Sequence, residues 1–205
     1  MSRRLVAVGA SFGGFDALKV LLGALPGTFP APLAIVQHQG SPGAGLATLL
    51  QRYTPLVVAD AEDKEDLLPG VAYVAPPGYH LLVEPGSVAL SVDPPVSHAR
   101  PSIDVLFESA ADAYGPGAIC VVLTGTGQDG AAGLARIKLR GGRTIVQDPA
   151  TATRGAMPRA ALASTIVDWI LPLDMIGPRL VKLLGPSGQD TAPRLVAPES
   201  PVTRS

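Results

Sequence analysis

The chain begins with a short apolar run that breaks into a glycine-rich turn and then continues with helical spacing, from Arg4 to Leu18. This pattern predicts a strand, a tight turn and a helix. Gly9, Gly13 and Gly14 permit backbone conformations that a Cβ atom would forbid, so the turn can approach a neighbouring strand or a ligand closely. A buried strand that leads directly into a helix is typical of an α/β sheet.

The remainder of the chain repeats this alternation of strand and helix patterns. Strands are predicted at 34–37, 56–59, 118–123, 143–147 and 168–171, and helices at 15–25, 45–53, 103–114, 131–140 and 174–184. Hydrophobic residues make up 47% of the chain and charged residues 16%, which favours a sheet buried on both faces. The predicted fold is therefore a doubly wound α/β domain, with a mostly parallel sheet and helices on both faces.

The middle of the chain has a different pattern. Three short β-type runs, 71–74, 80–83 and 88–92, are separated by proline and glycine and are predicted to form antiparallel hairpins inserted into the domain. The acidic run Asp60–Asp66 is predicted as a solvated loop. Asp104, Glu108 and Asp112 fall on one polar line of a predicted helix, and residues 148–158 are predicted as a loop.

The domain organisation is predicted from length and from a change of composition near the end. The chain has 205 residues, which suits one domain with a substantial core. From residue 185 onward, proline, glycine, serine and isolated charges replace the periodic patterns. We expect one folded domain over 1–184 and a disordered tail over 185–205.

Composition also excludes several classes of function. The formal net charge is −1 and lysine and arginine form no block, so nucleic acid is not an expected partner. Cys120, inside an apolar run, is expected to be a buried thiol. The start, with Arg3 and Arg4 before an apolar run, is too short for a signal sequence. No apolar segment approaches the ~20 residues that span a bilayer, so we expect a cytoplasmic protein without membrane insertion.

Three potentially reactive side chains follow three different predicted strands: Ser11, His38 and Asp129. Sites in doubly wound sheets lie beyond the carboxyl ends of the strands. A hydroxyl needs a base, and a carboxylate can orient an imidazole, so these residues could form a nucleophilic triad. The alternatives are that Ser11 caps the first helix, that His38 is a satisfied turn residue and that Asp129 caps the helix after it.

Other kinds of site are weaker. His80, on a predicted hairpin, and His98, in a loop, have no acidic or cysteine partner at ligand spacing, so neither predicts a metal site. The first turn lacks the Lys-Ser/Thr ending of a P-loop and the G-x-G-x-x-G spacing of a dinucleotide site. The residues alone therefore leave the triad and the capping roles open.

Six short motifs together resemble one family. They are Val8–Gly14, Val36–His38, Val71–Gly78, Arg100–Phe107, Leu123–Gly133 and Met157-Pro158. In this order they are similar to the catalytic domain of the CheB family of bacterial chemotaxis protein-glutamate methylesterases. The resemblance extends from about Leu5 to Leu184 and implies that Ser11, His38 and Asp129 act as a triad.

The resemblance further implies hydrolysis of γ-glutamyl methyl esters on chemoreceptor cytoplasmic helices, with release of methanol. Deamidation of receptor glutamines is implied as a related activity. No metal or organic cofactor is needed for this chemistry. Backbone N–H groups near the glycine turns would hold the oxyanion, and Phe12, Thr126 and Gly127 are the expected oxyanion or cleft residues.

The chain departs from the family pattern at three positions. The family usually has a small hydroxyl residue after the nucleophile and methionine after both Gln-His and Thr-Gly, where this chain has Phe12, Gln39 and Thr126. These changes bear on substrate preference more than on chemistry. The family's usual amino-terminal receiver domain is not expected, because Ser11 lies so near the start.

Two other functions are open from the sequence. One is a catalytically idle domain that binds signalling helices, and the other is a serine esterase for small soluble esters. Methanol release separates the first from a methylesterase. Turnover of soluble esters without any receptor would indicate the second.

Overall fold

Strand β1 (Leu5–Ala10) lies inside a seven-stranded sheet of the computed structural model, which describes residues 4–38 and 45–185. The other strands of this sheet are β2 (Leu33–Gln37), β3 (Val57–Asp60), β4 (Val71–Val74), β7 (Ala118–Val122), β8 (Arg143–Gln147) and β9 (Trp169–Leu171). They are all parallel, in the order β3-β4-β2-β1-β7-β8-β9. Strands β5 (His80–Glu84) and β6 (Ser87–Ser91) form a separate antiparallel hairpin.

Five α-helices lie between strands and a sixth follows β9 in the described part of the chain. They are α1 (Gly14–Gly23), α2 (Leu46–Leu50), α3 (Ile103–Tyr114), α4 (Ala131–Leu139), α5 (Ala156–Ser164) and α6 (Leu173–Leu184). The doubly wound fold predicted from the alternating patterns is confirmed. None of these helices, within residues 4–38 and 45–185, is long and apolar enough to cross a membrane.

The centre of the sheet is buried on both faces, because β1 and β7 are apolar and buried at every position. Strand β1 is buried throughout, with Val6 and Val8 in the cluster beneath α1, α2 and α6. Leu5 and Ala7 point the other way, into the cluster beneath α3, α4 and α5. Successive side chains of a strand face opposite sides of a sheet, so one short segment contributes to both cores.

The antiparallel hairpin insertion is confirmed for β5 and β6, whereas the prediction that residues 71–74 belong to it is wrong. Strand β4 instead lies between β2 and β3 and pairs with both in parallel. Its Ala72, Tyr73 and Val74 are consecutive and all buried, as in a strand that is covered on both faces. Composition alone could not distinguish these cases, because β-type residues are common to parallel and antiparallel strands.

Two helices and one side chain also differ from the predictions. The helix expected at 45–53 is the short α2 followed by a 3₁₀ turn, Gln51–Tyr53. Helix α5 starts inside the predicted loop 148–158, because Pro158 occupies its first turn, where a missing N–H costs nothing. Asp104, predicted on a polar line of α3, is only 7% exposed. Except for Gly185, the predicted tail 185–205 lies outside the described residues.

The direction of winding reverses beside β1. From β1 the chain moves outward through β2 to β4 and β3, and it returns to the other side of β1 with β7, β8 and β9. A crevice forms at such a reversal, beyond the carboxyl ends of the two central strands. The segments after β1, β2 and β7 meet there, and they contain Ser11, His38 and Asp129.

Candidate active site

Ser11 occupies the turn between β1 and α1, and its main chain is fixed from two sides. Its N–H donates to the Thr124 carbonyl oxygen at 3.0 Å, and the Gln37 side-chain amide donates to the Ser11 carbonyl oxygen at 2.7 Å. The hydroxyl has no hydrogen-bond partner among the described residues, and the residue is 8% exposed. Ser11 therefore presents a free hydroxyl from a rigid backbone.

The alternative in which Ser11 caps the first helix is wrong. The N-cap of α1 is Gly13, which has a φ of 78°, and no side chain caps this helix. A residue with a Cβ is strained at such a φ, so glycine is needed where the chain turns from strand into helix. The Ser11 hydroxyl therefore does not take part in capping α1.

His38 follows β2 directly and lies beside the serine turn. Its N–H donates to the Ala10 carbonyl oxygen at 3.0 Å, continuing the pairing of β1 with β2. Its ring Nε2 lies 2.8 Å from Asp129 Oδ2, and the side chain is 21% exposed. The structure thus pairs His38 with Asp129 and places Ser11 on the adjacent strand end, without a hydrogen bond to the ring.

Asp129 is almost fully buried and holds the first turn of α3. Its carboxylate accepts the N–H groups of Ile103 at 2.8 Å and Asp104 at 2.9 Å, and the Ser102 hydroxyl at 2.9 Å. The alternative in which it caps α4 is wrong, because the N-cap of α4 is Gly130 without a side-chain cap. Asp129 instead caps α3, whose first residue, Ile103, lies 26 residues earlier in the sequence.

These bonds fix the ionisation of Asp129. Burial raises the pKa of its carboxyl, but hydrogen bonds lower the pKa by more than burial raises it. These bonds come from His38, Ile103, Asp104 and Ser102, and the pKa of Asp129 therefore lies below its usual value. Asp129 is therefore a carboxylate at neutral pH. A carboxylate accepts the N–H of imidazole and fixes the tautomer of the ring.

Asp104 is a second buried acid beside Asp129. Burial raises its pKa to about 6, against a lowering by the hydrogen bond from the Gly133 N–H, and the charge of Asp129 raises it further. Two neighbouring acids thus have opposite shifts, because only Asp129 has enough donors to stabilise its charge.

Ser102 contacts Asp129 and His80 contacts Ser102, two supporting roles that the sequence analysis did not predict. The Ser102 N–H donates to His80 Nδ1 at 3.2 Å, and His80 Nε2 lies 3.2 Å from the Pro94 carbonyl oxygen. A neutral His80 protonated on Nε2 satisfies both contacts. Serine before a helical pattern is the usual sign of an N-cap, which could have identified Ser102.

Candidate oxyanion donors flank Ser11. The N–H groups of Phe12 and Gly13 have no acceptor within the described chain. On the other side, the segment after β7 passes very close, since a Cβ added to Gly125 would lie 2.8 Å from Ser11 Cβ. Thr126 and Gly127 follow and are exposed, with open space around Gly127.

Phe12 is 56% exposed, so its ring does not belong to the core. The guanidinium carbon of Arg154 lies 5.1 Å from its ring centroid, a cation–π distance.

Gln39, the second departure from the family pattern, lies outside the described residues. Within residues 4–38 and 45–185, no three His, Cys, Asp or Glu side chains are grouped so that they could hold a metal. His98 is exposed in a loop, and Cys120 is buried, which raises the pKa of its thiol well above the usual value.

Comparison with known proteins gives one consistent result. The sequence profile of the CheB methylesterase family matches residues 6–180. The chain also matches the crystal structure of the CheB methylesterase catalytic domain of Thermotoga maritima, with a TM-score of 0.84 and 35% identity over 89% of this chain and 100% of that one. The chain belongs to the CheB methylesterase family.

One relative is matched over nearly its whole length and a second over about half of its length. A Leptospira interrogans protein with the provisional name protein-glutamate methylesterase/protein-glutamine glutaminase is 42% identical over 89% of this chain and 96% of its own length. The protein-glutamate methylesterase FrzG of Myxococcus xanthus is 44% identical over 87% of this chain and 54% of its own length. The family resemblance inferred from the six motifs is confirmed.

Proposed function

We propose that this chain hydrolyses γ-glutamyl methyl esters on chemoreceptor cytoplasmic helices and releases methanol. Ser11 is the nucleophile, His38 the general base and acid, and Asp129 the group that orients His38. The observation that carries the proposal is the 2.8 Å contact between His38 Nε2 and Asp129 Oδ2, next to a serine hydroxyl that has no other partner among the described residues.

The contact between His38 and Asp129 assigns a role to each ring nitrogen. Because Nε2–H donates to the buried carboxylate, Nδ1 is left to accept the proton of the Ser11 hydroxyl. The Ser11 oxygen then attacks the ester carbonyl and forms a tetrahedral intermediate. Asp129 stays ionised and stabilises the imidazolium that forms.

The intermediate needs donors for its oxyanion and a proton for its leaving group. The free N–H groups of Phe12 and Gly13 are the best-placed donors, because they follow the nucleophile directly. His38 returns the proton to the methoxide, so methanol leaves and Ser11 carries the glutamyl acyl group. Water, deprotonated by His38, then releases the γ-carboxylate and restores the serine.

The substrate is proposed from the names of the relatives. Proteins 42–44% identical to this chain are named for protein-glutamate methylesterase activity, and several also for protein-glutamine glutaminase activity. A glutamine side chain is attacked by the same steps, with ammonia in place of methanol as the leaving group. Deamidation is therefore proposed as a second reaction of the same site.

Methanol release from methylated receptor membranes tests this function. We expect the parent chain to release methanol and Ser11→Ala to fall to near background, while Ser164→Ala, at an exposed serine in the last position of α5, retains the parent rate. A parent chain that binds the membranes but releases no methanol would indicate a binding domain. Turnover restricted to small soluble esters would indicate a different esterase.

A further inference from the structure

The wall beside Ser11 contains an exposed aromatic–cation pair. Phe12 follows the serine directly, and the Arg154 guanidinium carbon lies 5.1 Å from its ring centroid. Both side chains are exposed. The ring restricts the guanidinium group, and an ordered guanidinium loses less entropy when it binds a ligand.

One buried hydroxyl holds the backbone of both residues. Thr124 is 1% exposed, and its Oγ1 donates to the Phe12 carbonyl oxygen at 3.0 Å and accepts the Arg154 N–H at 2.9 Å. The Arg154 carbonyl oxygen in turn accepts the N–H of Gly125, at which an added Cβ would lie 2.8 Å from Ser11 Cβ. The pair is therefore built onto the same rigid segment as the nucleophile.

The guanidinium group of Arg154 forms no ion pair within the described part of the domain. Among residues 4–38 and 45–185, no carboxylate lies within 4.0 Å of its guanidinium. The guanidinium of Arg159 lies against the same loop, since a Cβ added to Gly155 would be 2.7 Å from Arg159 Nη1. The only acid of the triad, Asp129, is buried and already has four donors.

We propose that Arg154 is a specificity-determining residue that binds a carboxylate of the substrate protein next to the scissile glutamyl ester. The inference rests on the proposed function, because it takes the ester to lie at Ser11. A methyl ester is neutral, so the carboxylate must come from another residue of the same segment, and the preferred substrate is an acidic peptide. On a helix, residues three or four positions away lie about 5–6 Å from the ester-bearing residue.

The guanidinium group is suited to a carboxylate in particular. Its planar N–H fork matches the two oxygens of a carboxylate, and the guanidinium carbon lies 5.1 Å from the Phe12 ring centroid. A neutral substrate can enter the site but gains nothing from this contact. Arg154 therefore acts on the choice of substrate and not on the chemical step.

Two synthetic peptides of equal length separate these effects. Each has one γ-methyl glutamyl residue, flanked by glutamates in one peptide and by serines in the other, and methanol release is measured for both. We expect Arg154→Gln to lower kcat/KM for the acidic peptide about tenfold, the factor that corresponds to ~1.4 kcal/mol. The neutral peptide should be unaffected, and added salt should weaken the preference of the parent.

Controls distinguish position from charge. Arg52→Gln removes an exposed arginine from the 3₁₀ turn before the edge strand β3 and should leave both rates unchanged. Arg154→Lys keeps the charge without the fork and should keep part of the preference. Equal losses on both peptides, or no loss on either, would overturn the inference.

A binding measurement separates this inference from the proposed function. Anisotropy of the labelled acidic peptide is compared between Ser11→Ala and the double variant Ser11→Ala with Arg154→Gln. Weaker binding by the double variant supports the inference even if the parent releases no methanol from methylated receptor membranes, the result that would reject the proposed function. Equal binding, together with equal hydrolysis of the acidic peptide by parent and Arg154→Gln, rejects the inference and leaves the proposed function intact.

Discussion

The two sides of Ser11 are built by opposite principles. On the His38 side, the buried carboxylate of Asp129 accepts hydrogen bonds from a ring, a hydroxyl and two backbone N–H groups. On the other side, Phe12 and Arg154 are exposed, and the Arg154 guanidinium carbon lies 5.1 Å from the Phe12 ring centroid. We propose that the first side fixes charge and geometry for chemistry, whereas the second leaves groups free for a substrate.

The largest effect is expected on the buried side, from Asp129→Asn. An amide in this position favours the wrong imidazole tautomer, which lowered kcat by ~10⁴ in a serine protease. We expect a comparable loss of methanol release while the fold, measured by circular dichroism, is retained. A variant with near-parental activity would show that Asp129 is only a helix cap.

A pH-dependent effect is expected from the neighbouring acid, Asp104. Its pKa in the folded state, about 6, is above the ordinary value of 3.8, so its ionisation destabilises the fold as pH rises between these values. In Asp104→Asn this loss is absent. The unfolding free energy of the variant relative to the parent should therefore rise by up to about 1.4 kcal/mol per pH unit from about pH 4 to 6.

Asp112→Asn is the matched control on the same helix. The hydrogen bond from Arg136 lowers the pKa of Asp112, so this carboxylate stabilises the fold above its ordinary pKa, and the stabilisation disappears as pH falls. The control should therefore be less stable than the parent at neutral pH and should approach it in acid. Urea unfolding at several pH values measures both variants, and equal pH profiles would contradict the assignment of Asp104.

The smallest effect is expected on the exposed side, from Phe12→Thr. Its ring is 56% exposed, so stability should change by no more than about 0.5 kcal/mol. The ratio of activity on receptor esters to activity on small soluble esters should shift. Phe107→Thr, at a fully buried ring, should by contrast cost ~3–5 kcal/mol. An unchanged substrate ratio in Phe12→Thr would remove the ring from the substrate wall.

The same contrast explains what the sequence could and could not predict. Strand and helix patterns place Ser11, His38 and Asp129 at one edge, because strand ends converge in a parallel sheet. The role of Asp129 as a cap for α3 depends on a contact 26 residues away, which no local pattern encodes. The pairing of Phe12 with Arg154 likewise depends on a loop folding back onto the first turn.

Labelling of the nucleophile tests the account most directly. A sulfonyl fluoride reacts with an activated serine hydroxyl, loses fluoride and leaves a sulfonyl ester that mass spectrometry can locate. We predict one label per chain, on Ser11, with methanol release falling in proportion to labelling and with little labelling of His38→Ala. Full methanol release by a chain fully labelled on Ser11, or equal labelling of His38→Ala, would contradict a triad of Ser11, His38 and Asp129.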